Sequence, residues 1–293
     1  MAAIAADRES GASALVRRAL ALLRSVRGAE PDEVPSVVVA LCRAQPSMGP
    51  MWNAAALAWA DLADAGTRLD AFAHRLERSE AAIARAAVSL LREADARPLR
   101  LVTFSASGAV LATIRALTGH AQHVAVAEGR PALEGRSLAR ELAGAGVSVS
   151  VYSDAGIAAA LDHATAVLVG ADAVAPAWFI NKVGTGALAA LAGLRGIPVY
   201  VLGGREKFVP PALAETLQLR SGQPAEIWAD PLPGITVENP YFERIPLELA
   251  AALVTDAGVV AADQAAELCE ANARLAGAEA ISRLRAAGLE RQG

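Results

Sequence analysis

The chain is poor in aromatic residues: Phe, Trp and Tyr make up 4% of its 293 residues. Its apolar share of 54% therefore rests mostly on Ala, Leu and Val. There are only two cysteines, Cys42 and Cys269, which are too far apart for metal-ligand spacing and too few for a disulfide framework. A net charge of −4 leaves no basic footprint for a nucleic acid. No uncharged run of about 18 residues occurs, so no membrane span is expected. The first ten residues lack the charged start and sustained apolar core of a signal peptide. No Ser-His-Asp order, P-loop or strand-following Gly-x-Gly-x-x-Gly is present, so those enzyme classes receive no support. His120 and His123 flank the start of a strand, and surface placement explains them better than a metal does. The expectation is a cytoplasmic protein without metal, cofactor, nucleic-acid or membrane partners.

What is present divides near Pro98. Residues 10 to about 96 repeat apolar positions at three and four, as helices do. Gly28 and Pro31 break the first helix from the second, and Pro46, Gly49 and Pro50 the second from the third. Two long helices follow to Glu93, with Gly66 as an interruption. Beyond Pro98, strands at 99–104, 123–127, 147–152, 166–169 and 198–202 alternate with helices at 109–117, 133–143 and 155–161. That order predicts an α/β fold with a parallel sheet and right-handed crossovers. Residues 203–245, rich in Pro, Gly and charge, read as ordered loops, and the chain is helical again from Ala261. The expected organisation is an N-terminal helical domain over 1–97 and a Rossmann-like ligand-binding and dimerisation domain over 98–293.

The most informative stretch is 165–205. A buried-strand run brings Asp172 to the C-terminal end of its strand, where open α/β sheets bind ligands. After a short apolar loop, Asn181 and Lys182 fall where the next helix begins, and a helix start beside a lysine suits an anion. A carboxylate, an amide and an ammonium thus converge as a site for a phosphorylated small molecule. The plain alternative is an aspartate capping a loop and a lysine in solvent. Gly203-Gly204-Arg205 reads as a tight turn before it reads as a phosphate loop. Trp178 and Phe179 read as packed apolar side chains before they read as a cover over the ligand cleft.

Four segments also resemble one protein family. They are Leu101-Val102-Thr103-Phe104-Ser105; Glu128-Gly129-Arg130-Pro131 with Leu133-Glu134-Gly135-Arg136; Gly170-Ala171-Asp172 with Asn181-Lys182-Val183-Gly184-Thr185; and Lys207-Phe208 with Glu238-Asn239-Pro240-Tyr241-Phe242 and Val254-Thr255-Asp256-Ala257-Gly258-Val259. Their order and spacing over residues 99–270 resemble the alpha, beta and delta subunits of translation initiation factor 2B. The same superfamily holds methylthioribose-1-phosphate isomerase and ribose-1,5-bisphosphate isomerase. The helical half is similar more weakly, through Gln45-Pro46-Ser47-Met48-Gly49-Pro50.

The resemblance implies conversion of an aldose 1-phosphate into a ketose 1-phosphate, which needs a proton donor and a proton acceptor across the substrate. In the isomerases these are a cysteine and an aspartate. The aspartate carries over to Asp172 and the cysteine position to Ser105, or to Ser107 if the loop alignment slips. A serine hydroxyl is a far weaker acid than a thiol, whose reference pKa is about 8.5. Asn181, Lys182, Arg130 and Lys207 carry over as contacts to a phosphorylated sugar or nucleotide. Ser105 and Asp172 are expected to face each other across one pocket with Lys182 at its rim, and Lys182 is expected to keep Asp172 ionised. The missing thiol, Gln45 in place of the family's arginine, and a 172–181 segment that looks one residue short depart from the isomerases. They support an alternative, a non-catalytic regulatory or interaction protein. A homodimer through the C-terminal half is implied, with segments 235–260 offering apolar surface.

Overall fold

The computed structural model describes residue 4 and residues 12–64, 67–94 and 98–289. Helices α1 (Ala12–Ala29), α2 (Val34–Ala44), α3 (Gly49–Asp64) and α4 (Arg68–Ala94) come first. Their breaks fall at the predicted prolines and glycines, whereas the interruption read at Gly66 lies outside the described residues. Asp61 fixes the turn into α4. Its buried carboxylate accepts hydrogen bonds from the Leu69 and Arg68 backbone N–H groups at 3.0 and 3.2 Å. It also pairs with the guanidinium groups of Arg27 and Arg68 at 3.0 and 3.3 Å. It thereby satisfies helix-start donors that otherwise lack partners.

The central sheet has seven strands in the order β10-β9-β7-β4-β1-β2-β3. These are β1 (Leu99–Phe104), β2 (Ala121–Ala127), β3 (Val149–Tyr152), β4 (Ala166–Gly170), β7 (Val199–Leu202), β9 (Ala252–Thr255) and β10 (Gly258–Val260). All neighbouring pairs are parallel except β9 with the edge strand β10. Side chains alternate as a sheet buried on both faces requires. Leu99, Leu101, Ala166 and Leu168 join Ile83, Ala87 and Leu91 of α4 and the helices α5 (Gly108–Ala116) and α6 (Glu134–Gly144) on one side. Val102, Phe104, Val167 and Val169 face α7 (Thr185–Leu194), the 3₁₀ segment Gly156–His163 and α9 (Ala265–Ala276) on the other.

A second, antiparallel sheet departs from the expected single sheet. It joins β5 (Ala173–Val174), β6 (Trp178–Lys182) and β8 (Phe242–Pro246) in the order β5-β6-β8. Asn181 and Lys182 therefore end a strand rather than begin a helix, and the apolar loop expected before them is a hairpin. The 203–245 stretch is mostly loop, with one short helix, α8 (Pro211–Ala214).

Helix α4 ties the molecule together. Leu69, Phe72, Ala73 and Leu76 pack among the helices, while Ile83, Ala87 and Leu91 pack on the sheet. Each buried Leu, Ile or Phe among them contributes about 1.5–3 kcal/mol. The C-terminal helix α10 (Ala278–Leu289) returns to the helical side through Ile281 and Leu284. The point of division read from the sequence, residue 97, falls in a stretch outside the described residues. No helix among the described residues is long and apolar enough to cross a membrane.

Candidate ligand-binding site

The chain runs β1, β2, β3 toward one edge of the sheet and then crosses back to place β4 on the other side of β1. The loops after β1 and β4 consequently part at the C-terminal edge, the place where such sheets open a ligand crevice. A cavity of about 200 Å³ lies there. Its wall includes Ala106–Ala109 after β1, Gly170–Asp172 after β4, Asn181 from β6, and Glu206 and Lys207 after β7. The helical half closes it with Arg17 of α1 and Glu80 and Ile83 from the middle of α4.

Local structure fixes these groups. Ser107 caps α5, its Oγ accepting from the Val110 N–H. Gly170 lets the two strand ends approach, since a Cβ there would come within 2.7 Å of Ser107 Oγ. The Asp172 backbone is held on both sides: its N–H donates to Ile180 O at 2.7 Å, and its carbonyl accepts from Gly49 N–H at 2.9 Å. Asn181 Nδ2 donates to Thr185 Oγ1 at 3.1 Å. The Arg205–Lys207 turn is anchored from three directions. Asn53 Nδ2 donates to the carbonyls of Glu206 and Phe208, and Asn272 Nδ2 to those of Arg205 and Phe208. Arg205 makes a forked ion pair with Asp256, at 3.1 Å from Nε and 2.8 Å from Nη2 to Oδ2.

The electrostatics differ from the sequence expectation. Burial pushes the Asp172 carboxyl above its ordinary range. Lys207 and Lys182 pull it down and Glu134 adds to the rise, so the lysines do not reverse the shift. Burial likewise raises Glu206, against the pull of Lys207 and of its hydrogen bond with Ser79. Raised carboxyls on one cavity wall mark a candidate site for proton transfer.

Asp172, Asn181 and Lys207 line the cavity as the sequence suggested. Ser105 ends β1 beside it, 7% exposed and in the left-handed region at φ 63°, and the wall is built instead from Ser107, the other serine considered. Lys182 is not at the rim. Its side chain is 4% exposed, and Nζ pairs with Glu134 Oε1 at 2.8 Å and lies 4.6 Å from the Tyr241 ring centre. The start of α7 is occupied as well, because Glu243 Oε1 accepts from Gly184 and Gly186 N–H at 2.9 and 2.8 Å. Both parts of the anion site read from the sequence are thus filled by carboxylates of the chain itself. Arg130 is exposed and tethered by its backbone N–H to Asp154 Oδ2 at 2.7 Å, away from the cavity wall. Gln45 is buried and donates to Ile4 O at 2.8 Å, so the position does not face the cavity either.

Sequence reasoning missed Arg17, Glu80 and Glu206. The first two come from helices whose approach to the sheet leaves no local signature. Glu206 carried a signal, a charged run immediately after the last parallel strand of the 166–202 unit. Neither cysteine lines the cavity. Both are buried, which pushes the Cys269 thiol up to about 12 and Cys42 higher still.

Comparison with known proteins shows the family and the fold. The model of the initiation factor 2 subunit family matches residues 18–262. A ribose 1,5-bisphosphate isomerase of Haloferax volcanii is 34% identical over 197 residues, covering 64% of this chain and 60% of that protein. A methylthioribose-1-phosphate isomerase of Desulforudis audaxviator is 36% identical over 196 residues, covering 58% and 54%. The matches thus span less than two thirds of these relatives' own lengths. The fold is shared with the Pyrococcus horikoshii translation initiation factor eIF-2B, at a TM-score of 0.75 and 24% identity over 88% of this chain and 94% of that one.

Proposed function

The chain belongs to the initiation factor 2 subunit family, and from that premise we propose that its switch-point cavity binds a sugar phosphate and isomerises an aldose 1-phosphate to the ketose 1-phosphate. The observation that carries this reading is the convergence of Asp172, Asn181 and Lys207 on one cavity wall at the C-terminal sheet edge. Lys207 and Arg17 supply positive charge for phosphate, and the start of α5 lines the same cavity. Asn181 and Asp172 hold sugar hydroxyls, and Asp172 accepts the proton that leaves the hydroxyl becoming the carbonyl. Its raised pKa brings it nearer to neutral pH, where a general base works best. Ser105 and Lys182 then serve from behind the wall, Lys182 by its charge on Asp172.

A second reading, a non-catalytic ligand-sensing or interaction protein, draws on the absence of a thiol from the cavity wall. The test is one experiment: titrate the protein with ribose 1,5-bisphosphate, methylthioribose 1-phosphate and nucleoside monophosphates, and follow ketose formation by nuclear magnetic resonance. Binding with turnover supports the isomerase, binding alone the second reading, and no binding neither.

We also propose a cytoplasmic homodimer. Two unpaired buried thiols suit a reducing compartment. Exposed Ile227, Trp228, Leu232 and Ile235 give apolar surface for association. A monomer mass by sedimentation at micromolar concentration would count against the dimer.

A further inference from the structure

Aldose–ketose isomerisation needs a proton donor as well as an acceptor, and the serines near the cavity are too weakly acidic to provide one. The cavity wall holds a second buried carboxyl group. Glu206 is 2% exposed and lies on the wall with Asp172 and Lys207. Its carboxyl is folded back over Gly204, where a Cβ would come within 2.1 Å of Oε2, so only glycine at 204 leaves it room. Ser79 of α4 donates to it from Oγ, at 3.3 and 3.2 Å from its two oxygens.

We propose that Glu206 is the proton donor of this cavity, paired with Asp172 as acceptor. The inference rests on the sugar-phosphate reading above and adds to it the residue that opens the sugar ring. The ring C1–O bond breaks with its electron pair going to the ring oxygen, which takes the proton from Glu206. A hydride then moves from C2 to C1. The C2 hydroxyl gives its proton to Asp172 as the carbonyl forms. One proton enters the sugar, one leaves, and no outside oxidant or reductant takes part. Solvent returns the proton from Asp172 to Glu206.

Asp172 keeps the acceptor role given to it above, which leaves the donor role to Glu206, and both carboxyls lie among mixed charges. Asp172 faces two ammonium groups, Lys207 and Lys182, with Glu134 opposing them. Glu206 faces Lys207 alone among the ammonium groups, and Asp256 beyond Arg205 opposes ionisation. Arg205 is committed to Asp256. Arg75 of α4 is also within electrostatic reach of Glu206, but it lies over the Phe72 ring at 5.5 Å. Glu80 of α4 lies against Gly108 on the facing wall. Burial raises both carboxyls, and a carboxyl raised in this way can hold a proton to give, as an acid partner must.

The test compares wild type with Glu206→Gln and Ser79→Ala, using ribose 1,5-bisphosphate as probe, calorimetry for binding and nuclear magnetic resonance for turnover across pH. Glu206→Gln keeps the shape of the side chain. It should lower kcat at least about a hundredfold, the usual scale for losing a general acid, leave the dissociation constant within about threefold, and erase the fall in kcat toward alkaline pH. Ser79→Ala removes a hydrogen bond that favours the carboxylate, so that alkaline limb should move to higher pH. If Glu206→Gln fails to fold, the Ser79→Ala limb alone decides. Turnover by Glu206→Gln within tenfold of wild type, an unmoved limb in Ser79→Ala, or wild-type binding without turnover overturns the donor assignment and leaves the binding reading intact. No wild-type binding overturns both.

Discussion

Replacing Lys182 by Met separates a structural lysine from a phosphate-binding one. The ammonium sits 2.8 Å from Glu134 and over the Tyr241 ring, with its side chain 4% exposed. Removing one partner of a buried ion pair costs about 3–5 kcal/mol. Glu134 is 32% exposed and regains water when the lysine is lost, so we reduce this to about 2–3 kcal/mol. Methionine retains most of the stem's packing and adds no charge. For a chain of this size the loss corresponds to a fall in Tm of roughly 3–5 °C. Urea denaturation and thermal melts measure it, and calorimetry with ribose 1,5-bisphosphate measures the effect at the cavity. Affinity should change less than about threefold, because Lys182 acts on the cavity only through its charge on Asp172. A Lys182→Met protein that is as stable as wild type but binds ten times more weakly would refute the placement of this lysine behind the wall.

Other outcomes follow from the same geometry. Asp172→Asn should abolish turnover while leaving ligand affinity within about threefold, read by steady-state kinetics beside calorimetry. Glu206 and Asp256 should tilt stability against pH in opposite directions. Glu206 is raised by burial, so its contribution is full below the ordinary carboxylate range and is lost as pH rises through its folded value. Glu206→Gln should remove that alkaline loss in urea titrations. Burial alone would raise Asp256, but its bonds with Arg205 hold it low, so its contribution is present above the ordinary range and lost as pH falls. Asp256→Asn should weaken the protein at neutral pH and flatten its acid limb. Both cysteines, buried as they are, should stay unreactive toward a thiol reagent until urea is added, and rapid labelling of the native protein would contradict their placement.

Much of the frame was legible because it is written locally. Runs such as Ala166-Val167-Leu168-Val169 are apolar on both faces, as a covered parallel strand requires, and Gly28, Pro31, Pro46 and Pro50 mark the helix breaks. The position of Asp172 follows from strand direction alone, as every parallel strand opens on the same edge. What escaped depends on distant partners. Trp178–Lys182 is a strand because β8, about sixty residues later, pairs with it. Lys182 looked like a free cation because Glu134 lies 48 positions before it, and the start of α7 looked like an open anion site because Glu243 lies 57 positions after Gly186. Arg17 reaches the cavity through the packing of α1, which periodicity does not orient toward the sheet.

The central claim is that this cavity binds a phosphorylated sugar through Lys207. Calorimetric titration of wild type and Lys207→Met with ribose 1,5-bisphosphate tests it most directly. Wild type should bind with a submillimolar dissociation constant, and Lys207→Met should bind at least about tenfold more weakly, a loss of about 1.4 kcal/mol, with its melting temperature little changed because Lys207 is partly exposed and makes no ion pair among the described residues. Absence of binding by the wild type, or equal affinity in the two proteins, would contradict the account.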